Sequence, residues 1–342
     1  MSYISTDVQS KQENRMLAKY FHLFEDGVLN CDYGQQFEQW FNDRFFGRSF
    51  LIKKYNKLRN MIVQRGNENV LLGKDGWAFF IQNGGLENFK NISSFSETEM
   101  AATAAYLKTV DEWCKARGKE FYFIICPDKH RVYGEYMVGV SKVKPDNESR
   151  TIKLIEYLKE HTKVKVVYLQ DTLLAAKDQA ILYLKNDTHW TSLGAYYGYK
   201  RIMAELNKTN RFTVVPYDEI TFIKNPKGDL NAFYPEMATD DTTEYPNAVV
   251  KSEAVCRDRK DGNVLDIVCV NPQGHQSLVV FRDSFTSALK PFLDKTFSKI
   301  EYIWRYDIRH KDFDTMNKAD IIIIEVLERL LPSMTKIEFP KQ

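Results

Sequence analysis

Five short apolar runs, at 121–126, 164–169, 277–281, 300–304 and 321–326, organise the chain from residue 121 onward. They lack the apolar–polar alternation of half-exposed strands, as expected of strands covered on both faces. Between the first two, residues 149–160 carry apolar side chains at three- and four-residue spacing, and 285–293 do the same between the third and fourth. Strands alternating with amphipathic helices predict an α/β fold, with a mostly parallel sheet flanked by helices. Ahead of the first run, Ser96-Glu-Thr-Glu99 has the form of a capping box. The helix it opens carries Met100, Ala104, Leu107, Val110 and Trp113 on one side and closes at Gly118. Val70 to Phe80 reads as a hairpin turning on Lys74-Asp-Gly76.

Two stretches break the alternation. In residues 1–65, Phe37, Trp40, Phe41, Arg44, Phe45 and Arg48 recur at helical spacing, which predicts a helical segment with an aromatic face packing on the core. Residues 212–270 hold clusters of Gly, Pro, Asp and Thr with short β-branched runs. They read as an insertion of small antiparallel strands and loops within one domain over 66–342.

Composition prunes the functional classes. The chain has 342 residues, of which 44% are hydrophobic and 27% charged, a soluble globular balance that allows one large domain. Its 48 basic and 46 acidic residues leave a net charge of +2, which argues against a general nucleic-acid binder. The five cysteines are widely spaced and form no CxxC pair, so neither a zinc ribbon nor a redox dithiol is encoded. No apolar run approaches the roughly 18–20 residues of a membrane helix, and residues 1–13 are too polar for a signal peptide. Either the protein is cytoplasmic or a targeting segment lies outside this sequence. Dinucleotide and phosphate loops, HExxH, EF-hand and GxSxG signatures are all missing. What remains is a nucleophile, with no cofactor and no metal expected.

Ser284 follows the run Leu278-Val-Val-Phe-Arg-Asp283 and precedes a helical stretch, at the sheet edge where open α/β folds place their sites. The neighbouring helix N-terminus could stabilise an oxyanion, although a serine there could equally be a plain helix cap. Asp187 and His189 lie two residues apart in Asn186-Asp-Thr-His-Trp190, just before another helix. The carboxylate can hold Nδ1–H of the ring and leave Nε2 free as a base, or the pair can be a turn residue and a structural histidine. Together the three groups carry more weight, because a serine hydroxyl needs a base and the base needs an orienting acid. His130 in Cys126-Pro-Asp-Lys-His130 is the rival base, while His22, His161, His275 and His310 read as surface or packing residues. The Ser284 N–H is a candidate oxyanion donor, with Lys129 or Arg282 as side-chain contributors. Trp190 and Tyr133 could stack on sugar rings or simply pack, and Glu328 and Arg329 are expected to pair with each other or a neighbour.

The Asp-Thr-His-Trp190 segment, Arg282-Asp-Ser-Phe285, the Gly73-Lys-Asp-Gly-Trp77 hairpin, Pro127-Asp-Lys-His-Arg-Val-Tyr133 and Glu325-Val-Leu-Glu-Arg329 together resemble the alginate O-acetyltransferase (AlgX-like) group. These are SGNH-hydrolase-like proteins, a subgroup also called DHHW. The resemblance spans roughly residues 15–332, and places the Asp/His pair before the serine, the reverse of ordinary SGNH hydrolases. It implies a flavodoxin-like, SGNH-type sheet in a catalytic domain over 66–342, with Ser284 as nucleophile, His189 as base and Asp187 as orienter. Arg282 stands where many relatives have glycine. The implied activity is transfer of an acetyl group, through an acetyl-serine, to a cell-surface or exported polysaccharide. A carbohydrate acetylesterase or a non-catalytic glycan-binding scaffold are the alternatives. The resemblance further implies an extracytoplasmic location, a membrane tether upstream of Ser2, and a membrane-bound O-acyltransferase supplying acetyl groups. With little chain beyond Pro332, glycan capture is expected from the catalytic domain itself.

Overall fold

The computed structural model of the chain describes residues 9–10, 15–25, 27–44, 51, 54, 66–209, 211–225, 229–230, 245–259 and 265–340. At its centre stands a sheet of seven strands: β1 (Glu120–Cys126), β2 (Lys165–Tyr168), β3 (Val255–Asp258), β4 (Ile267–Val270), β5 (Ser277–Phe281), β6 (Lys299–Ile303) and β7 (Ile321–Leu327). Their spatial order is β3-β4-β6-β5-β7-β1-β2. The five strands expected from the apolar runs are the five that pair in parallel, β6-β5-β7-β1-β2.

The reason those runs lack polar alternation is visible in the two cores. Tyr122, Ile124, Leu278, Val280, Ile300, Tyr302, Ile321 and Ile323 face one side of the sheet, whereas Phe121, Phe123, Ile125, Val279, Phe281, Ile303, Ile322 and Ile324 face the other. Successive residues of a strand point to opposite faces, and here both faces are covered. Helices α1 (Glu97–Lys115) and α3 (Arg150–His161) cover the second face through Leu107, Val110, Trp113, Leu154 and Leu158. The first face is covered by α4 (Gln170–Ala176), α5 (Ser192–Leu206) and α6 (Thr286–Thr296), through Leu173, Tyr199, Met203, Leu289 and Phe292. A short α2 (Lys129–Tyr133) follows β1 directly.

Local chemistry sets the ends of these elements. The Ser96–Glu99 capping box forms in both directions, with Ser96 Oγ accepting from Glu99 N at 3.2 Å and Glu99 Oε2 from Ser96 N at 2.8 Å. Thr191 caps α5 through Gly194 N. The hairpin Val70–Leu72 with Ala78–Phe80 turns through Asp75 and Gly76, whose φ angles are 53° and 77°. Two consecutive positive φ values explain the Asp-Gly pair there.

The stretch expected as an insertion divides into two parts. Strand Ile220–Asn225 pairs with Tyr245–Val250 as a separate antiparallel ribbon. β3 and β4 instead join the main sheet, β4 running antiparallel to β6. The sheet is therefore mixed, and β3 and β4 form its edge rather than an appendage. Cys256 and Cys269 face each other across β3 and β4 and form a disulfide. It closes a loop with a sequence separation of 13, and such a loop constrains the unfolded chain by about 2–3 kcal/mol. Replacing both cysteines with serine is expected to lower the unfolding free energy by that amount, read from urea titrations of oxidised protein.

In the first 65 residues the described elements are two small hairpins and the helix Tyr33–Arg44. Its aromatic side closes on Phe21, which lies 5.0 Å from Tyr33 and 6.0 Å from Trp40 between ring centres, and none of its residues is buried. Phe45 and Arg48 lie outside the described residues.

Candidate active site

Ser284 sits just past the C-terminal end of β5, one residue before the residue that leads into α6. Asp283 shapes this turn. Its Oδ1 accepts the Phe285 N–H at 2.9 Å, and its Oδ2 accepts the Tyr306 hydroxyl and the Leu327 N–H, both at 2.7 Å. Behind it, buried Glu325 accepts from Thr286 Oγ1 at 2.7 Å and from Asp283 N at 3.3 Å. Burial and the neighbouring Asp283 charge both push the Glu325 carboxyl up. Asp283 and Glu325 thus hold the backbone on either side of Ser284, and Tyr306 and Thr286 hold those two carboxylates in turn. Ser284 does not serve as a plain helix cap, since Phe285 occupies the N-cap position of α6 without a side-chain bond.

Asp187 and His189 come from the loop ahead of α5. Trp190 fastens that loop to the serine turn by donating from Nε1 to the Phe285 carbonyl at 3.0 Å. From the other side Lys129, the first residue of α2, reaches into the loop. Its Nζ donates to the carbonyls of Leu184 and Lys185, each at 3.1 Å, and of Asp187 at 2.6 Å. An ammonium has three N–H groups, and all three are used. Burial pulls this lysine down to about 7, against the raising effect of Asp187 and Asp229.

The three groups singled out by sequence meet. His189 Nε2 lies 2.7 Å from Ser284 Oγ, and His189 Nδ1 lies 2.7 Å from Asp187 Oδ1. Asp187 Oδ1 also accepts the His189 backbone N–H at 2.8 Å, so acid and ring are locked in one local turn. The Phe285 ring packs 5.4 Å from the imidazole. With Nδ1–H held by a carboxylate, the Nε2 lone pair points at the serine hydroxyl, the arrangement that makes an alcohol nucleophilic.

A fourth group had no sequence signal. Asp229 places Oδ2 3.4 Å from His189 Nδ1, although it follows Lys227-Gly228 in a stretch with no recognisable motif. Burial alone disfavours a charged ring. The bonds and charges of Asp187 and Asp229 outweigh it and carry His189 up to about 9. Ligand-type atoms of Asp187, His189 and Asp229 lie within 4.8 Å of one another. Their carboxylate oxygens are nonetheless engaged, Asp187 by His189 and by Asp229 N, Asp229 by Thr188. A cation there would have to displace those donors.

The weaker sequence assignments fare differently. Lys129 does not face Ser284 as an oxyanion donor, because its ammonium is spent on the 184–187 carbonyls. Arg282 is buried and turned away, with Nη1 on the Asp283 carbonyl and Ser287 Oγ, Nη2 on the Leu265 carbonyl, and its guanidinium against Trp304. Tyr133 is buried, stacked 4.2 Å from Trp77, with its hydroxyl accepting the Leu182 N–H. Trp190 is 2% exposed, so neither ring offers a face to a sugar. His130 is enclosed between Phe79 and Phe89, and burial pushes it down to about 3, which removes it as a rival base. Glu328 pairs with Arg131 and Arg329 with Asp128.

The family profile described as "SGNH hydrolase-like domain, acetyltransferase AlgX" matches residues 70–273, which include Asp187 and His189 but not Ser284. A probable alginate O-acetylase AlgJ of Pseudomonas aeruginosa is 26% identical over 211 residues, covering 61% of this chain and 52% of that protein. The corresponding protein of Pseudomonas syringae pv. tomato is 26% identical over 229 residues, covering 65% and 55% respectively. The chain thus spans about half the length of the curated relatives it matches. Among solved structures, a DHHW family protein from Eubacterium siraeum superposes with a TM-score of 0.59 at 16% identity, over 80% of this chain and 96% of that one. Bacillus cereus PatB1 does so with a TM-score of 0.54 at 16% identity, over 80% and 100%. These two likenesses show the fold.

Proposed function

This chain belongs to the SGNH-hydrolase-like acetyltransferase AlgX family, and from that premise we propose that it is a polysaccharide O-acetyltransferase working through an acetyl-serine. The observation that carries the reading is the pair of contacts Ser284 Oγ–His189 Nε2 and His189 Nδ1–Asp187 Oδ1, each 2.7 Å. In the first half-reaction Ser284 Oγ attacks the carbonyl carbon of an acetyl donor and its proton passes to His189 Nε2. The bond from acetyl carbon to the leaving oxygen breaks, and the imidazolium returns the proton to that oxygen. In the second, an acceptor hydroxyl gives its proton to Nε2 and attacks the acetyl-serine. Ser284 Oγ then leaves and recovers the proton. Asp187 keeps the tautomer and supports the imidazolium in both halves.

The acceptor in this reading is an exported polysaccharide, and the acetyl group arrives from a membrane-bound O-acyltransferase. The protein acts outside the cytoplasm, held at the membrane. The Cys256–Cys269 disulfide supports that location, since such bonds persist in oxidising compartments. No helix among the described residues is long and apolar enough to cross a membrane.

The test is mass spectrometry after incubation with p-nitrophenyl acetate, with and without an oligosaccharide acceptor. One acetyl group is expected on the peptide bearing Ser284, and acetyl is expected on the sugar when the acceptor is present. Release of free acetate only, with acceptor in excess, makes the protein an esterase. No acyl adduct and no turnover ends the reading.

A further inference from the structure

Asp229 touches both the histidine and the acid that orients it. Its Oδ1 accepts the Thr188 N–H at 2.7 Å and its Oδ2 the Thr188 hydroxyl at 2.6 Å. Its own N–H donates to Asp187 Oδ2 at 2.9 Å. It therefore spans the whole Asp187-Thr188-His189 turn. We propose that Asp229 is a second positioning acid of this centre, clamping that turn and adding its charge to that of Asp187 beside the imidazole.

The single proton on Nδ1 belongs to the bond with Asp187, at 2.7 Å against 3.4 Å for Asp229. Asp229 therefore acts on the ring by its field. A second carboxylate at such a distance favours the imidazolium, which stabilises the ion pair formed as Ser284 attacks and makes the resting ring harder to deprotonate. Among the described residues, no cation pairs with the ring or with these two carboxylates. The described groups in contact with the ring are the Asp187 and Asp229 carboxylates, the Thr188 and Ser284 hydroxyls and the apolar Phe285. Lys129 bonds the Asp187 backbone carbonyl and lies within the field of both carboxylates. In keeping with this, Asp229 itself is held down to about 2 by His189 and Thr188 despite the opposing effect of burial.

The inference rests on the acyl-transfer reading for its catalytic meaning but not for its test. Because the base must be neutral to accept a proton, turnover rises with pH along a limb set by His189. Asp229→Asn removes the charge and nearly preserves the shape. In full-length protein labelled with ¹³C at histidine Cε1, the His189 resonance is identified by its loss in His189→Gln and titrated. Its midpoint is expected to fall by at least about one pH unit in Asp229→Asn. The rising limb of kcat/KM should move down with it, and Asp229→Glu, which keeps the charge, should hold both near the parent values. A purely structural role would lower kcat at every pH and leave the midpoint where it was, which overturns the proposal. A shifted midpoint in a protein without Ser284-dependent turnover upholds Asp229 and sinks the acyl-transfer reading instead. Serine-dependent turnover with an unmoved midpoint does the reverse.

Discussion

Replacing Ser284 with alanine is expected to lower acetyl-ester turnover by about 10⁴-fold or more, and to change the unfolding free energy by less than about 1 kcal/mol. The two halves of that expectation come from different features. In the proposed reaction the hydroxyl's contact with His189 Nε2 is the one used, so its loss would leave that base with nothing to activate. The turn around it is held by Asp283, Tyr306, Leu327 and Trp190, none of which bonds the Ser284 side chain. Steady-state kinetics on p-nitrophenyl acetate, with a denaturant titration of the same preparation, reads both. Turnover within tenfold of the parent in a folded variant would sink the assignment of Ser284.

The largest expected loss of stability comes from Glu328→Ala. Glu328 lies at the end of β7, fully buried, with Oε1 accepting from Arg131 Nε at 2.9 Å and Thr151 Oγ1 at 2.8 Å, and Oε2 from Asp128 N at 3.2 Å. Its partner Arg131 is equally enclosed, and its other nitrogens reach the Asn88 carbonyl and Asn91 Oδ1. Removing the carboxylate leaves the buried guanidinium with only the half-exposed Asp146, 3.2 Å from Nη1, as counter-charge, which costs about 3 kcal/mol. Arg131→Met combined with Glu328→Leu removes both charges and should recover a large part of that loss. Guanidinium titrations of the single and double variants measure it, and a single-variant cost below about 1 kcal/mol contradicts the account. The effect should also reach the site. Arg131 and Lys129 share α2, so loosening this helix loosens the ammonium that holds the Asp187 loop. Turnover should therefore fall in Glu328→Ala at denaturant concentrations well below the unfolding midpoint.

The parts of this protein legible in its sequence are those set by local pattern. β1, β5 and β7 are apolar in both registers because both sheet faces are covered, and the Ser96 and Thr191 caps need only neighbours within three residues. Asp187 and His189 were legible as a pair for the same reason, since their bond closes within one turn. Ser284 was legible from its place between a strand and a helix. The β3–β4 edge misled because its two strands carry Gly- and Asp-rich neighbours that look like loop, while their pairing partner β6 lies some thirty residues further on.

Residue type and spacing by themselves determined the α/β layering, the helix starts and the three groups suited to acyl transfer. Tertiary structure alone decided which buried charges serve the site and which only fill the core. Lys129 and Arg282 read alike as cations near a nucleophile. Only the folded loop shows one wrapped in carbonyls and the other stacked on Trp304. Asp229 entered by the same route, brought to His189 across forty residues of chain. The physical reason is that a charge takes its role from the dipoles and charges within a few ångströms of it, and in a folded chain most of those come from residues far away in sequence.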